Sequence, residues 1–140
     1  MMENNIPTSD FYRSTPINLN QSLLDYYRLR ILNQMQYVDL YKGARILKFP
    51  EDLRTFERLI EDSRPEVVVE LGVESGGSSL WFADRLQNIC GSGEVIGVDI
   101  NLETARKNID DSRITLIEGD LSSASVVDKV REVIGGRKAM

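Results

Sequence analysis

Several residue types that commonly build chemical sites are scarce or missing in this sequence of 140 residues. It has no histidine and a single cysteine, Cys90. The common Cys/His zinc patterns and an intramolecular disulfide framework are therefore excluded, and no histidine base is available within the chain. With 41% hydrophobic and 28% charged residues, the composition is typical of one modest globular domain.

Long apolar runs and an excess of basic charge are also missing. No run approaches the ~18 apolar residues of a membrane span, and the polar start does not match a signal peptide. The formal net charge of −5 argues against a nucleic-acid partner, because affinity for phosphate backbones depends on clustered lysine and arginine. We therefore expect a cytoplasmic protein that binds a small-molecule substrate and neither a membrane nor nucleic acid.

The first part of the sequence predicts an arm followed by helices. Residues 1–18 contain two prolines among polar residues and predict a flexible arm. Residues 19–64 predict a helical segment. Within it, apolar residues at every third or fourth position indicate a first helix that continues until Gly43.

A second helix is predicted in the same segment. It begins at Pro50, whose fixed φ suits a first turn, and Pro65 limits it at the other end. Its apolar residues recur at helical spacing, which predicts that they form the buried face. These residues are Leu53, Phe56, Leu59 and Ile60.

Residues 65–140 alternate between short β-branched runs and helical segments. The predicted strands are 67–71, 95–98 and 114–117, and the predicted helices are 78–88, 103–110 and 125–134. Such alternation, with strands apolar on both faces, predicts an α/β fold in which helices cover a parallel sheet. Ligands of such sheets gather at the carboxyl ends of the strands.

A glycine-rich turn follows the first of these strands. Three residues separate Gly72 from Gly76 and Gly77, so the spacing does not match the G-x-G-x-x-G pattern of dinucleotide-binding folds. Glycines at this place still let a ligand approach the backbone.

The charge of this turn favours a cation. No lysine or arginine lies between Glu66 and Ala83, so pyrophosphate would be repelled by Glu70 and Glu74. A cationic nucleoside such as S-adenosylmethionine, with its sulfonium and ammonium groups, would instead be favoured by Glu70. Three nearby cations, Lys42, Arg45 and Lys48, are interpreted as solvated charges.

Two more acids end the next two strands. Asp99 ends "VIGVDI", a position from which a carboxylate can accept both ribose hydroxyls. Asp120 ends "ITLIEGD", where it or the neighbouring backbone can contact the adenine amino group. Taken singly, Glu70 can equally be a carboxylate bonded to backbone N–H groups, and Asp99 or Asp120 a helix cap. Three acids at three successive strand ends together favour nucleoside binding.

Three stretches carry a resemblance to a known family: "YKGARILKFPEDLRTFERLI", "RPEVVVELGVESGGSSLWFADRL" and "GEVIGVDIN". From Tyr41 to Asp120, the sequence resembles the cephalosporin hydroxylase-like family of the S-adenosylmethionine-dependent methyltransferase superfamily. The resemblance implies a partial Rossmann-like methyltransferase fold, and methyl transfer to a hydroxyl of a small molecule or sugar. It implies that S-adenosylmethionine is held by Glu70, Gly72, Gly76, Gly77, Ser78, Asp99 and Asp120.

The sequence departs from that family at its end, because relatives continue beyond the position of Met140 into further strands. No catalytic residue or metal ligand is assigned here, and a divalent metal is expected only if those further segments are supplied. With nothing to pair the free edge of the first strand, we expect a homo-oligomer or a fragment of a longer chain. A non-catalytic module for cofactor binding or oligomerisation is the alternative function. An NAD-dependent oxidoreductase is disfavoured by the turn spacing and by Glu70.

Overall fold

The computed structural model describes residues 23–32 and 39–140, and the chain divides into two compact units after residue 38. In the first unit, helix α1 spans Leu23–Leu32. The flexible arm predicted for residues 1–18 lies outside the described residues. All remaining elements belong to the second unit.

A short hairpin stands where the sequence predicts the end of the first helix. Strand β1 (Leu40–Tyr41) pairs antiparallel with strand β2 (Ala44–Arg45). Lys42 and Gly43 have φ values of 50° and 84°, and a two-residue type I′ turn requires positive φ at both positions. The prediction of a helix continuing to Gly43 is therefore wrong, because this glycine turns a hairpin.

Helix α2 spans Pro50–Ser63 and begins at the predicted proline. At its other end, the backbone of Arg64 is left-handed with φ 46°, and its N–H donates to the carbonyl of Ile60. Pro65 follows directly, so the helix ends where the sequence predicts.

The buried face of α2 differs from the prediction at one residue. Ile60 is fully buried, and Leu53 and Phe56 pack partly buried against the same core. Leu59 is 46% exposed, so its assignment to the buried face is wrong. The reason is angular: Leu59 lies about 100° around the helix from Ile60, outside the narrow face that the other three share.

Three strands and three helices alternate after α2. They are β3 (Val67–Leu71), α3 (Gly77–Cys90), β4 (Glu94–Asp99), α4 (Glu103–Asn108), β5 (Ile114–Glu118) and α5 (Ala124–Ile134). The strands form one parallel sheet in the order β3-β4-β5, so the predicted α/β fold with three parallel strands is confirmed. Within the described ranges, no helix has the length and apolar character needed to cross a membrane.

The outer edge of β3 is partly paired by the last residues of the sequence. Val67 forms a parallel bridge with Ala139. The Met140 N–H donates to the Val67 carbonyl over 2.9 Å, and the Val69 N–H donates to the Met140 carbonyl over 2.8 Å. The prediction that nothing pairs with this edge is therefore wrong. The homo-oligomer expected from a bare edge loses part of its basis and stays a prediction.

The core lies on both faces of the sheet because side chains alternate along each strand. One buried cluster joins β3 and β4 to α2 and α3, and consists of Ile46, Ile60, Val68, Trp81, Phe82, Ala83, Leu86 and Val95. The cluster on the opposite face joins the sheet to α5, and consists of Val67, Ile96, Val98, Ile117 and Val126. The helices thereby fix the sheet whose carboxyl end carries the predicted site.

Polar contacts around Asp84 fasten the hairpin to α3 and to the segment before β5. The Tyr41 hydroxyl donates to Asp84 Oδ2 over 2.7 Å, and Lys42 Nζ lies 2.7 Å from the same oxygen. Arg113 Nη2 donates to Asp84 Oδ1 over 2.8 Å. Burial alone would raise the pKa of Asp84, but these donors outweigh it and hold that pKa well below its ordinary value. The ionised carboxylate therefore stabilises the fold.

Replacing Asp84 with asparagine should lower the free energy of unfolding at pH 7 by about 2 kcal/mol, because hydrogen bonds to charged groups contribute roughly that much. The lowered folded-state pKa also gives a pH signature. The stabilisation is complete above the ordinary aspartate pKa of about 3.9, and is lost as the pH falls towards the folded-state value. Urea unfolding should show a smaller difference in the free energy of unfolding between wild type and variant at pH 3 than at pH 7.

The matched control is Asp128→Asn, which removes a carboxylate paired with Arg131 on the exposed surface of α5. Exposed pairs contribute little, so this variant should unfold nearly as the wild type does at both pH values. An Asp84→Asn protein as stable as the wild type at pH 7 would contradict the assigned role.

Candidate functional site

Glu70, near the end of β3, carries a buried carboxylate. The residue is 5% exposed, and the Ser79 hydroxyl on α3 donates to its Oε2 over 2.5 Å. Its Oε1 is also buried and has no hydrogen-bond partner within the part of the chain that the structure describes. A buried carboxylate oxygen without a donor is costly. A cation or donor supplied by a ligand would therefore be stabilising at this atom.

Gly72 begins the turn between β3 and α3 and adjoins open space. Its φ of 87° lies in the left-handed region that favours glycine. A Cβ added here would meet nothing within 4 Å. The Gly72 N–H donates to the Val98 carbonyl over 2.8 Å, which holds the turn against β4. The exposed backbone at this position suits the predicted approach of a ligand.

The fold itself favours glycine at Gly76, whose φ is 90°, and at Gly77, which lies against backbone. A Cβ at Gly76 would lie 2.5 Å from Cδ1 of Ile109, and one at Gly77 would lie 2.3 Å from the carbonyl oxygen of Arg45. Ser78, the next residue, is 6% exposed. Cofactor contact at these three positions stays a prediction, because backbone conformation and packing already explain both glycines.

Asp99 ends β4 and fixes the shape of the turn after β3. Its Oδ2 accepts the N–H groups of Val73 over 2.8 Å and Glu74 over 3.0 Å, and its Oδ1 accepts the Asn101 N–H over 3.2 Å. Although burial acts in the opposite direction, these backbone donors lower the pKa of Asp99. Since each carboxylate oxygen can accept two hydrogen bonds, Oδ1 keeps capacity for the predicted ribose contact.

Asp120 lies beyond β5 and is exposed. Its Oδ1 accepts the backbone N–H of Ser122 over 2.8 Å and the hydroxyl of the same serine over 2.7 Å, and these bonds lower the pKa of Asp120. The Gly119 N–H donates to the Asp99 carbonyl over 2.9 Å, so the ends of β4 and β5 lie side by side. The local bonds favour a structural role for Asp120, and its adenine contact stays a prediction.

Two cations from the segment before α2 reach the same end of the sheet. Arg45 Nη2 lies 3.1 Å from Glu74 Oε1, and Lys48 Nζ lies 3.6 Å from Glu70 Oε1. The Lys48 side chain is only 28% exposed, so its interpretation as a solvated charge is wrong. Because these cations offset the acids of the turn, charge discriminates less against pyrophosphate than the sequence suggests. Both contacts join residues too far apart in sequence for a local pattern to reveal them.

A large aliphatic residue follows each of the three acids and is exposed. Leu71 is 64% exposed, Ile100 73% and Leu121 42%. Exposed aliphatic residues at one end of a sheet favour a partly apolar ligand, such as a nucleoside lying across the strand ends. Sequence reasoning missed these residues, although the pairs E-L, D-I and D-L at three strand ends were visible.

The surface near the carboxyl ends also contains a cavity. It has a volume of about 570 Å³ and lies beside Ile100 and Glu118. Another, of about 580 Å³, lies at the amino ends of the strands beside Pro65 and Glu94, remote from the acids. Within residues 23–32 and 39–140, no group of three His, Cys, Asp or Glu side chains is arranged to hold a metal. The carboxyl end thus combines acids, aliphatic surface and a buried carboxylate oxygen without a hydrogen bond.

Comparison with known proteins gives consistent matches over most of the sequence. A model of the family described as Rhamnosyl O-methyltransferase/CmcI matches residues 33–140. The Rhamnosyl O-methyltransferase of Mycobacterium leprae is 25% identical over 112 residues, which are 78% of this chain and 48% of that protein. The Ribosomal RNA large subunit methyltransferase E of Halorubrum lacusprofundi is 28% identical over 120 residues, which are 86% of this chain and 36% of that protein. The chain therefore spans half or less of these curated relatives.

Solved structures share the fold. A structure of CmcI with Mg and SAM aligns with a TM-score of 0.61 and 28% identity, covering 91% of this chain and 50% of that one. A CmcI apo structure gives a TM-score of 0.61 and 29% identity, covering 94% of this chain and 51% of that one. The predicted Rossmann-like methyltransferase fold is confirmed, as is the resemblance to the cephalosporin hydroxylase-like family.

The packing at Gly77 predicts a large effect of adding one methyl group. In Gly77→Ala the new Cβ would collide with backbone atoms of β2, which cannot swing aside as a side chain can. Overpacking of this kind costs about 1–3 kcal/mol, so we expect a clearly lower free energy of unfolding. Urea denaturation followed by circular dichroism measures the loss.

Gly91→Ala is the control, because a Cβ there meets nothing within 4 Å and only the positive φ of 85° opposes it. Its cost should be about 1 kcal/mol. If Gly77→Ala lowers the free energy of unfolding no more than Gly91→Ala does, the backbone of β2 does not pack closely against Gly77.

Proposed function

The chain belongs to the Rhamnosyl O-methyltransferase/CmcI family, and on that premise we propose that it binds S-adenosylmethionine at the carboxyl end of its sheet for methyl transfer. One observation carries the proposal most directly. Glu70 buries a carboxylate oxygen that lacks a hydrogen-bond partner among the described residues, at the end of β3. A ligand ammonium would donate the charge-assisted hydrogen bond that this atom lacks.

The residues present fit such a ligand. S-adenosylmethionine carries positive charge on its sulfonium and ammonium groups, and Glu70 offers a negative charge. Open space at Gly72 admits a ligand close to the backbone. The exposed aliphatic residues Ile100 and Leu121 offer apolar surface for the adenosine part. When bound, S-adenosylmethionine supplies an electrophilic methyl group for an acceptor oxygen.

In this proposal, the chain's own residues bind and orient the cofactor. Asp99 Oδ1 accepts from a ribose hydroxyl while Oδ2 keeps the turn in shape. Asp120 or the neighbouring backbone contacts the adenine amino group. The turn from Gly76 to Ser78 positions the start of α3 beside the cofactor. Holding the reacting groups in line is the main contribution of a protein to such a transfer.

A hydroxyl of a small molecule or sugar is proposed as the acceptor. The Mycobacterium leprae relative is a rhamnosyl O-methyltransferase, which supports a sugar hydroxyl. A second relative is a ribosomal RNA methyltransferase, but the net charge of −5 disfavours a nucleic-acid acceptor. The cytoplasmic location, the homo-oligomer and the need for a divalent metal stay predictions. Cofactor binding without transfer to any acceptor would favour the non-catalytic module.

Ile100→Ser tests the site without disturbing the core, since this side chain is 73% exposed. We expect the dissociation constant for S-adenosylhomocysteine to rise about fivefold, because the adenosine part loses an apolar contact of roughly 1 kcal/mol. Isothermal titration calorimetry on wild type and variant measures the change.

Leu59→Ser provides the matched control: the same change at an exposed aliphatic residue on α2 should leave the dissociation constant as it is. NAD titrated into the wild type should give no comparable signal. Folded wild-type protein that binds neither S-adenosylmethionine nor S-adenosylhomocysteine would end the proposal.

A further inference from the structure

We propose that Lys48 and Glu70 together form a receptor for a zwitterionic α-amino acid group, with Lys48 binding its carboxylate and Glu70 its ammonium. The inference rests on the proposed function, because the amino-acid portion of S-adenosylmethionine is the ligand group in question. It adds a binding residue from outside the sheet.

The starting observation is an incomplete ion pair. Lys48 Nζ lies 3.6 Å from Glu70 Oε1, which is beyond hydrogen-bond distance, and Oε1 has no other partner among the described residues. The Glu70 side chain is 3% exposed and the Lys48 side chain 28%. Because no hydrogen bond joins these opposite charges, Lys48 can still donate to a better-placed acceptor and Glu70 can still accept from a better-placed donor.

The second step concerns the ligand's charges. An α-amino acid carries an ammonium and a carboxylate on the same carbon atom, so its two opposite charges are a few ångströms apart. Lys48 and Glu70 present opposite charges at a comparable separation. Exchange of one internal ion pair for two with the ligand keeps every charge paired, which makes burial of the ligand group electrostatically acceptable.

The third step is access. Oε1 of Glu70 is buried in this structure, and the nearby Lys48 side chain is long and partly exposed. Lys48 follows the hairpin and precedes α2 at Pro50, in a segment without helix or strand. Its ammonium thus takes the place of the ligand's cation until the ligand arrives, and then turns to the ligand's carboxylate.

Three adenosine ligands separate the roles of the two residues. S-adenosylhomocysteine carries both charges of the amino acid, its decarboxylated analogue carries only the ammonium, and 5′-methylthioadenosine carries neither. For Lys48→Met, we expect at least about tenfold weaker binding of S-adenosylhomocysteine in calorimetry, because a desolvated carboxylate loses its partner. Lys48→Met should bind methylthioadenosine as tightly as the wild type does. It should bind the decarboxylated analogue as tightly as the wild type does, or more tightly.

Two further variants strengthen the test. Lys48→Arg keeps the positive charge and should bind S-adenosylhomocysteine within a few-fold of the wild type. Lys129→Met removes an exposed lysine on α5, which lines neither cavity, and should change no affinity. Circular dichroism and thermal unfolding of each variant establish that it is folded.

The outcomes are distinct. Stronger or equal binding of S-adenosylhomocysteine by Lys48→Met would show that the lysine is only a counterion for Glu70, and would overturn the inference. Equal weakening of all three ligands would assign Lys48 a purely structural role and also overturn it. A wild-type protein that binds none of the three would refute the proposed function itself, whereas binding of methylthioadenosine alone would refute only the amino-acid receptor.

Discussion

The close approach of the hairpin backbone to Gly77 is the constraint on which the site depends. A side chain at this position would overlap the carbonyl of Arg45, so only glycine lets β2 lie against the start of α3. The same approach carries the segment after the hairpin to the carboxyl end of β3. There Lys48 faces Glu70, and Arg45 faces Glu74. The segment from Arg45 to Lys48 thereby becomes part of the site, although all of α2 separates it from the sheet in the sequence.

The two carboxylates nearest the turn differ in how far the protein satisfies them. Asp99 accepts three backbone N–H groups, which stabilise its charged form and leave it largely occupied with holding the turn. Glu70 receives one serine hydroxyl and a lysine that stays outside hydrogen-bond distance. Because a buried carboxylate oxygen without a hydrogen bond is costly, the remaining binding capacity of the site is concentrated at Glu70. The same residue chemistry thus gives one mainly structural acid and one open to a ligand.

Local patterns were enough to predict the sheet and the helices that cover it, but not the hairpin or the contacts of the segment that follows it. Runs of β-branched residues placed all three parallel strands, because each strand is long enough to show its character. The hairpin was missed because its strands have two residues each, and Leu40 and Tyr41 fit a helical repeat as well as a strand. Lys48 was missed for another reason: its contact with Glu70 depends on the tertiary path of the chain, which no spacing along the sequence encodes.

The turn at residues 70–78, with the pattern E-x-G-x-x-x-G-G-S, contains glycines that are favoured for different reasons. Gly72 faces open space, as a ligand-binding turn requires, whereas Gly76 and Gly77 are held by Ile109 and by the hairpin. The φ of 87° at Gly72 also favours glycine, so all three glycines would be favoured even in a protein that had lost its ligand. The presence of the motif therefore supports the fold more strongly than it supports ligand binding. Evidence for binding has to come from polar atoms that the fold buries without a hydrogen bond, and Oε1 of Glu70 is such an atom.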